Sequence, residues 1–158
     1  MIETRAYRTA DADPFLTLYR ECLAYYRVRE ATPAQEARIV GILDAQRHLS
    51  CLMAFAGQVP LGFATWVLTF PSGTDIALYM KELFVSEGAR GKGVGRALMA
   101  GLVRIADAEG CCRFDWQTDM DNPQSQAFYT RLKAPLYEKV TYRVTAGEYK
   151  DFLGRLGA

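Results

Sequence analysis

Residues 90–96 carry the pattern in this sequence that is best suited to binding a pyrophosphate. They read Arg90-Gly91-Lys92-Gly93-Val94-Gly95-Arg96 and lie between a predicted strand and a predicted helix. The first turn of a helix has unpaired N–H groups and a partial positive charge, and glycines let a phosphate approach that backbone closely. A flexible basic loop is the alternative, and it is disfavoured because the flanking strand and helix patterns are both present.

Two other phosphate-binding patterns fail on inspection. A Walker A loop needs Ser or Thr directly after Gly-Lys, and no Gly-Lys in this chain is followed by either. A dinucleotide-binding fingerprint needs G-x-G-x-x-G, and neither Gly91 nor Gly93 begins one. The sequence therefore excludes both motifs and leaves a shorter one, Arg90-x-x-Gly93-x-Gly95.

A second polar and aromatic segment follows a predicted strand and begins a predicted helix. It reads Asn122-Pro123-Gln124-Ser125-Gln126-Ala127-Phe128-Tyr129. Asparagine before proline is a common helix start. The aromatic residues at its end either take part in catalysis or belong to the hydrophobic core.

The elements that must position these segments alternate between strands and helices. The patterns predict strands at 2–8, 51–56, 59–70, 76–85 and 111–118, and one or two more within 136–145. They predict helices that begin at Asp13-Pro14, Thr32-Pro33, Val94 and Asn122-Pro123, with Gly110 ending the third and 71–75 forming a loop. The order predicts a mixed α/β (α+β) sheet with a βαβ unit over about 78–118.

Length and charge narrow the class of protein. The 158 residues predict one domain, 1–158, and the net charge of +1 gives no general attraction to nucleic acid or membranes. The four cysteines and single histidine lack the spacing of a metal site, so no metal is expected. Unpaired thiols, and an N-terminus without an apolar segment, lead us to expect a cytoplasmic protein.

The two segments together resemble the signatures of the GNAT acetyltransferase superfamily. The flanks of the first, Glu82-Leu83-Phe84-Val85 and Ala97-Leu98-Met99, fit as well, and so does the distance from Asn122 to Ala127-Phe128-Tyr129. The resemblance covers about residues 2–145. It implies the GNAT fold, a mixed central sheet flanked by helices, with acetyl-CoA as the acyl donor.

Within the superfamily the chain looks most like spermidine/spermine N-acetyltransferases and their bacterial relatives. Gly62-Phe63-Ala64 and the strand Tyr79-Met80-Lys81-Glu82-Leu83-Phe84-Val85 carry this likeness. Lys81 stands where that family has an acid, and Tyr25-Tyr26 stand where it has tyrosine and glutamate. Two acids that would attract a polyamine are therefore missing, which disfavours a polyamine acceptor.

The resemblance assigns expected roles to individual residues. Tyr129 is the expected general acid, and Glu82 is expected either to take a proton from the amine or to form a structural ion pair. Asn122 contacts the coenzyme, caps a helix, or does both. The expected coenzyme-binding residues are Leu83, Phe84, Val85, Arg90, Gly91, Lys92, Gly93, Val94, Gly95, Arg96 and Asn122. Tyr25, Tyr26, Trp66 and Glu82 are expected to line the acceptor pocket, although core aromatics would give the same pattern.

The expected function is transfer of acetyl from acetyl-CoA to a primary amine of a small molecule, directly in a ternary complex. A protein N-terminal or lysine acetyltransferase is one alternative, and a non-catalytic acyl-CoA-binding regulatory module is another. The cysteines are expected to be inert thiols rather than nucleophiles. A homodimer formed through the C-terminal strands is expected from the resemblance.

Overall fold

The computed structural model describes residues 1–70 and 74–157, which form two compact units. The first unit is Met1–Asn122 and the second is Pro123–Ala158. The predicted loop at 71–75 falls partly outside the described residues, at positions 71–73. The interpretation of 1–158 as a single domain stays a prediction.

A five-stranded mixed sheet forms the centre of the first unit. Its strands lie in the order in which they occur in the chain, with antiparallel pairing from the first to the fourth and parallel pairing between the fourth and fifth. The parallel pair and the helix between its strands confirm the predicted βαβ unit. The strands are β1 Glu3–Ala6, β2 Ser50–Ala56, β3 Val59–Thr69, β4 Ala77–Val85 and β5 Arg113–Asp115.

The described residues of this unit form three α-helices: α1 Ala12–Tyr25, α2 Pro33–Ala45 and α3 Val94–Ala108. The predicted start of α2 is confirmed, because the Thr32 side chain accepts a hydrogen bond from the Gln35 backbone and Pro33 is the first helical residue. The predicted start of α1 at Asp13-Pro14 is wrong. A short 3-10 turn leads into the helix at Ala12, and Asp11 is fixed there by Arg5, at 2.6 and 2.8 Å.

Helices cover both faces of the sheet. On one face, Phe15 of α1 packs its ring against Phe63 of β3 with centroids 5.1 Å apart, and Met53 and Leu43 join the same buried cluster. On the other face, α3 approaches so closely that a Cβ added to Gly101 would lie 2.5 Å from Leu52 Cδ2. Because successive strand residues point to opposite faces, Leu52 and Met53 serve the two layers separately.

The fourth strand contains a bulge that shapes its second half. Thr65 of β3 pairs with Glu82, but the next residue, Trp66, pairs with Met80, so Lys81 is an extra residue in β4. A bulge of this kind bends the strand and increases its twist. The parallel strand β5 pairs only with the first part of β4, ending at Tyr79. The two strands therefore stop pairing just before the bulge.

Two of the predicted strands differ from the structure for the same reason. The strand predicted at 111–118 is confirmed only over Arg113–Asp115, because it has a partner only at Ala77–Tyr79 of β4. The strands predicted within 136–145 are wrong: that segment has no strand partner among the described residues. Its apolar side chains predict a strand, yet a strand needs a paired backbone. Those side chains are exposed: Leu136, Tyr137, Val140 and Tyr142.

The described residues of the second unit form two α-helices, α4 Pro123–Arg131 and α5 Tyr149–Arg155. The predicted helix start at Asn122-Pro123 is confirmed. Within the described residues, every helix is too short or too polar to cross a lipid bilayer.

Candidate functional site

The phosphate turn, defined here as residues 86–96, joins β4 to the first turn of α3. Gly91 and Gly93 have φ angles of 73° and 89°, in the left-handed region that side chains disfavour. A Cβ at either glycine would meet nothing within 4 Å, so these positions need glycine for their backbone conformation and not for space. The first intrahelical bond is donated by Ala97 to the Gly93 carbonyl, at 3.0 Å. The N–H groups of residues 94–96 thus point out of the helix end.

The three cations of the phosphate turn are placed differently. The Arg90 side chain turns inward, and its Nε donates to the Val85 carbonyl at 3.2 Å. Lys92 folds back, with Nζ donating to the Gly88 carbonyl at 2.7 Å. Arg96 is exposed and has no hydrogen bond or ion pair in the described part of the chain. Sequence spacing alone gives the three residues the same role, whereas their contacts in the structure differ.

A carboxylate and a phenol meet on the α1 face of the sheet, and we call Tyr25, Tyr26 and Glu82 the acceptor side. The Tyr26 hydroxyl donates to Glu82 Oε1 at 3.2 Å. Glu82 is half-buried because it pairs with Thr65 inside the sheet and lies under the end of α1. The structure therefore brings together two of the residues that the sequence assigned to the acceptor.

Burial decides the proton affinity of these two groups. Loss of solvation raises the pKa of Glu82 above its ordinary value and outweighs the opposing hydrogen bond from Tyr26 and the charge of Lys81. Burial, together with the charge of Glu82, also raises the pKa of Tyr26, which stays a hydrogen-bond donor at neutral pH. A carboxylate with a raised pKa is a better proton acceptor near neutrality than an exposed one.

Tyr25 contacts the phosphate turn as well as its neighbour Tyr26. The Arg90 guanidinium lies over the Tyr25 ring, 4.6 Å from its centroid. The Tyr25 ring also packs edge-on against Tyr26 at 5.0 Å and near Phe84 at 6.3 Å. A continuous set of contacts thus runs from Arg90 through Tyr25 and Tyr26 to Glu82.

Among the described residues, the edge of β4 at Leu83, Phe84 and Val85 has no parallel partner strand, because β5 stops opposite Tyr79. On its other edge this segment pairs with Gly62, Phe63 and Ala64 of β3. One edge of the backbone is therefore held in the sheet while the opposite edge is available for another hydrogen-bonding group.

Trp66 is not brought to the acceptor side. It follows Thr65, whose cross-strand partner is Glu82, and successive residues of a strand point to opposite faces. The Trp66 side chain therefore belongs to the face that carries α3. Its expected contact with the acceptor stays a prediction that this placement does not favour.

Cys22 is a neighbour of the acceptor side that the sequence reading did not single out. Burial, with the charge of Glu82, raises the pKa of this thiol to about 12, so it is protonated at neutral pH. Its position four residues before Tyr26 on α1 was the available signal, since residues four apart share a helix face. Cys51 is buried in β2, and burial raises its pKa as well.

Asn122 is the last residue of the first unit, and Tyr129 belongs to the second unit. The Asn122 backbone N–H donates to the Asp119 carbonyl at 3.1 Å, directly before α4. Tyr129 is half-buried on α4, with its ring packed edge-on against Phe128 at 5.1 Å. In the described residues no group of three metal-ligating side chains is close enough to hold an ion.

Comparison with known proteins adds a family assignment to this geometry. Residues 13–133 match the family described as Acetyltransferase (GNAT) family. The chain is 28% identical over 145 residues to the D-amino-acid N-acetyltransferase HPA3 of Saccharomyces cerevisiae, covering 90% of this chain and 89% of that protein. It is also 28% identical over 75 residues to a human spermidine/spermine N(1)-acetyltransferase-like protein 1, covering 48% of this chain and 11% of that protein.

A solved structure matches almost the whole fold. It is an integron cassette protein from the mobile metagenome of V. cholerae, 30% identical, with a TM-score of 0.82 over 96% of this chain and 97% of that one. The fold described above is therefore shared with that protein over nearly the whole chain.

Proposed function

Because the chain belongs to the GNAT acetyltransferase family and is therefore an acyl-CoA-dependent N-acetyltransferase, we propose that it acetylates the primary amine of a small molecule by direct transfer in a ternary complex. The observation that carries this proposal is the half-buried Glu82, whose raised pKa and hydrogen bond from Tyr26 suit a group that receives a proton. The relative from Saccharomyces cerevisiae, named for action on D-amino acids, supports a small acceptor.

The phosphate turn fits the pyrophosphate of coenzyme A. Its two left-handed glycines lie in open space, and the free N–H groups of Val94, Gly95 and Arg96 face the same helix end. We infer that these amides and the Arg96 guanidinium hold the pyrophosphate, with Gly91, Lys92 and Gly93 shaping the turn. Acetyl-CoA, when bound, supplies an acetyl thioester whose carbonyl accepts hydrogen bonds.

The unpaired edge of β4 is the proposed donor to that carbonyl. A backbone N–H within Leu83–Val85 is held in place by pairing with β3 on the other side of the strand. A preorganised donor of this kind stabilises negative charge as it develops on the oxygen. Glu82 precedes this edge directly, so that the proton acceptor and the carbonyl donor belong to one short segment.

Two proton transfers complete the proposed mechanism. Glu82 receives a proton from the ammonium form of the acceptor, directly or through water, which leaves a neutral amine to attack. Tyr129, whose resemblance to the family's general acid motivates the assignment, donates its Oη proton to the departing sulfur. The proton that the amine nitrogen gives up on amide formation passes through water and restores the Tyr129 hydroxyl. Asn122 is proposed to contact the coenzyme beside the start of α4.

Release of free thiol from acetyl-CoA, measured against a panel of amines, tests the proposed function. The panel contains amino acids, polyamines, aminoglycosides and a lysine peptide. We expect turnover with a small amine and little with the peptide. Turnover with the peptide alone would instead identify a protein acetyltransferase. Tight binding of acetyl-CoA without turnover of any acceptor would favour a binding module and overturn the proposal.

A Tyr129→Phe variant tests the general acid. We expect unchanged affinity for acetyl-CoA and a loss of kcat on the order of 100-fold or more, since general acids contribute roughly 10²–10⁴-fold. Tyr137→Phe, an exposed tyrosine of the same unit, is the matched control. An unchanged kcat in Tyr129→Phe removes this residue from the mechanism.

The proposal also covers the oligomeric state and the cellular location of the protein. We infer a homodimer from the family resemblance, which size-exclusion chromatography with light scattering measures directly. All four cysteines are free thiols, which supports a reducing compartment such as the cytoplasm.

A further inference from the structure

One groove of the first unit combines an apolar floor with a cationic rim. It lies between α1 and α2, has a volume of about 340 Å³, and belongs wholly to the first unit. Tyr19 and Leu23 of α1 and Ile39 of α2 form its floor. Arg29, from the connection between the helices, and Arg38 of α2 form part of its rim.

In the part of the chain that the structure describes, no acidic side chain pairs with the two arginines of this rim. Glu36 is already engaged, because its two oxygens accept hydrogen bonds from Arg20 at 2.7 and 2.8 Å. Neither Glu36 nor Glu30 lines the groove. Within residues 1–70 and 74–157, Arg29 and Arg38 make no hydrogen bond or ion pair, unlike Arg20. Two guanidinium groups are thus available to an anion.

The α1 residues of the groove lie on the same helix face as Tyr26, the hydrogen-bond partner of Glu82. Tyr19, Leu23 and Tyr26 are spaced four and three residues apart, so they share one helix face. Leu23 and Tyr26 are separated by about 4.5 Å along the helix axis, at about 1.5 Å per residue. The Tyr26 hydroxyl reaches Glu82 from this face. The groove residues of α1 and the residue that contacts Glu82 are therefore neighbours on one face of the helix.

We propose that this groove binds the carboxylate of the acceptor, which makes the acceptor an amine that also carries a carboxylate on an apolar body. The inference rests on the proposed function and names its substrate class. Arginine binds carboxylates through paired, charge-assisted hydrogen bonds, and the floor removes the apolar body from water. A polyamine has the wrong charge for this groove, because Arg29 and Arg38 repel a polycation.

Matched acceptor pairs test the proposal in kinetics. Each pair shares its amine and apolar body and differs in the carboxylate: phenylalanine, in both D and L forms, against 2-phenylethylamine, and 6-aminohexanoate against hexylamine. For at least one pair, we expect the wild-type kcat/KM to favour the acid by about tenfold or more, since one charged hydrogen bond contributes roughly 1.5–3 kcal/mol. Equal or lower kcat/KM for the acid in both pairs overturns the proposal.

Removing the two charges should erase that preference. In the double variant Arg29→Gln/Arg38→Gln we expect kcat/KM for the preferred acid to fall by about tenfold or more. The kcat/KM for its amine partner and the KM for acetyl-CoA should stay unchanged. Arg104→Gln is the control, because Arg104 is an exposed arginine of α3 outside the groove. Equal losses for acid and amine would mean a general structural effect and would contradict the proposal.

Direct binding separates this inference from the proposed acetyl transfer. 3-Phenylpropionate has the carboxylate and the apolar body but no amine, so its binding by calorimetry does not depend on turnover. We expect wild type and Arg104→Gln to bind it equally, and the double variant to bind it at least about tenfold more weakly. Lack of turnover with intact, arginine-dependent binding would reject the proposed function alone. If 3-phenylpropionate does not bind, or binds wild type and the double variant equally well, the proposal that the groove binds a carboxylate is wrong.

Discussion

The phosphate turn and the acceptor side flank the same segment of β4, yet different properties of the chain define them. The turn depends on backbone conformation: left-handed glycines and a helix end whose amides are free. The acceptor side depends on side chains from distant parts of the sequence, with Tyr26 and Glu82 separated by 56 positions. The first is therefore encoded locally, and the second exists only after α1 has packed on the sheet.

This difference indicates where each region tolerates change. A turn held by backbone geometry accepts different side chains as long as its φ angles are kept. A buried carboxylate depends on its own chemical group and on every neighbour that limits its contact with water. We expect substitutions in the phosphate turn to change the affinity for the coenzyme. Substitutions on the acceptor side should instead change catalysis.

The largest effect is expected for Glu82→Gln. Loss of the proton acceptor should lower kcat on the order of 100-fold and leave acetyl-CoA affinity unchanged. Because Glu82 acts as a carboxylate, wild-type kcat/KM should rise with pH through its raised pKa, and the variant should lack this limb. A pH–rate profile of both proteins checks this, with Glu109→Gln as an exposed control.

The same variant has a second readout in stability. A raised pKa in the folded protein means that ionised Glu82 opposes folding, fully so above that pKa and not at all below the unfolded value. We therefore expect the Tm of Glu82→Gln at neutral pH to equal or exceed that of wild type. A marked drop in Tm would show that lost activity reflects unfolding, and it would contradict the assigned role.

A smaller effect is expected for Gly93→Ala in the phosphate turn. Its φ of 89° costs a side chain about 1–2 kcal/mol, which corresponds to roughly a tenfold weaker affinity for acetyl-CoA if the turn relaxes. The KM for the acceptor should not change. Gly88→Ala is the matched control in the same turn, because Gly88 has open space and no left-handed φ. Equal effects of the two substitutions would argue against a conformational requirement.

The smallest effect, and the one that challenges the division between the regions, is expected for Arg90. Its position assigns it to the turn, whereas its contacts with Val85 and Tyr25 connect it to the acceptor side. We expect Arg90→Met to raise the acceptor KM a few-fold, since a cation–π contact contributes about 0.5–2 kcal/mol. Tyr25→Leu should do the same, and the double variant should be no worse than either.

The affinity for coenzyme distinguishes the two roles of Arg90. A residue that holds Tyr25 leaves the acetyl-CoA dissociation constant and its salt dependence unchanged, whereas Arg96→Gln weakens binding most at low salt. If Arg90→Met instead behaves like Arg96→Gln, the original assignment of Arg90 to the pyrophosphate is correct and the division between the regions fails at this residue.

Patterns within a few residues of each other predicted much of the first unit. The Thr32-Pro33 helix start, the mixed sheet and the βαβ unit around the phosphate turn are all confirmed. The start of α1 was missed because the Arg5–Asp11 ion pair, six residues apart, fixes the helix start two residues before the Asp13-Pro14 pattern. Strand length was overestimated at 111–118 because pairing depends on a partner strand and not on composition.

The site shows the same limit at the level of single residues. The sequence predicts that Tyr26 and Glu82 are relevant, but not that burial raises the pKa of Glu82 or that Cys22 lies beside it. Trp66 was grouped with them by residue type, although strand alternation turns it to the other face. The proton affinity of Glu82 depends on its burial, and the facing of Trp66 relative to Glu82 depends on the β3–β4 register, which the pattern within one strand does not show.

The extra residue at Lys81 allows a short insertion or deletion to change activity without changing the fold. Cross-strand partners stay aligned on both sides of the bulge, so a chain lacking Lys81 can pair regularly along the whole of β4. Such a chain keeps the core residues on their faces but loses the bend where β5 departs. We expect a straight β4 to let β5 pair further and cover the edge at 83–85. Deletion of this one residue should then give a stable protein of the same fold that lacks acetyltransferase activity.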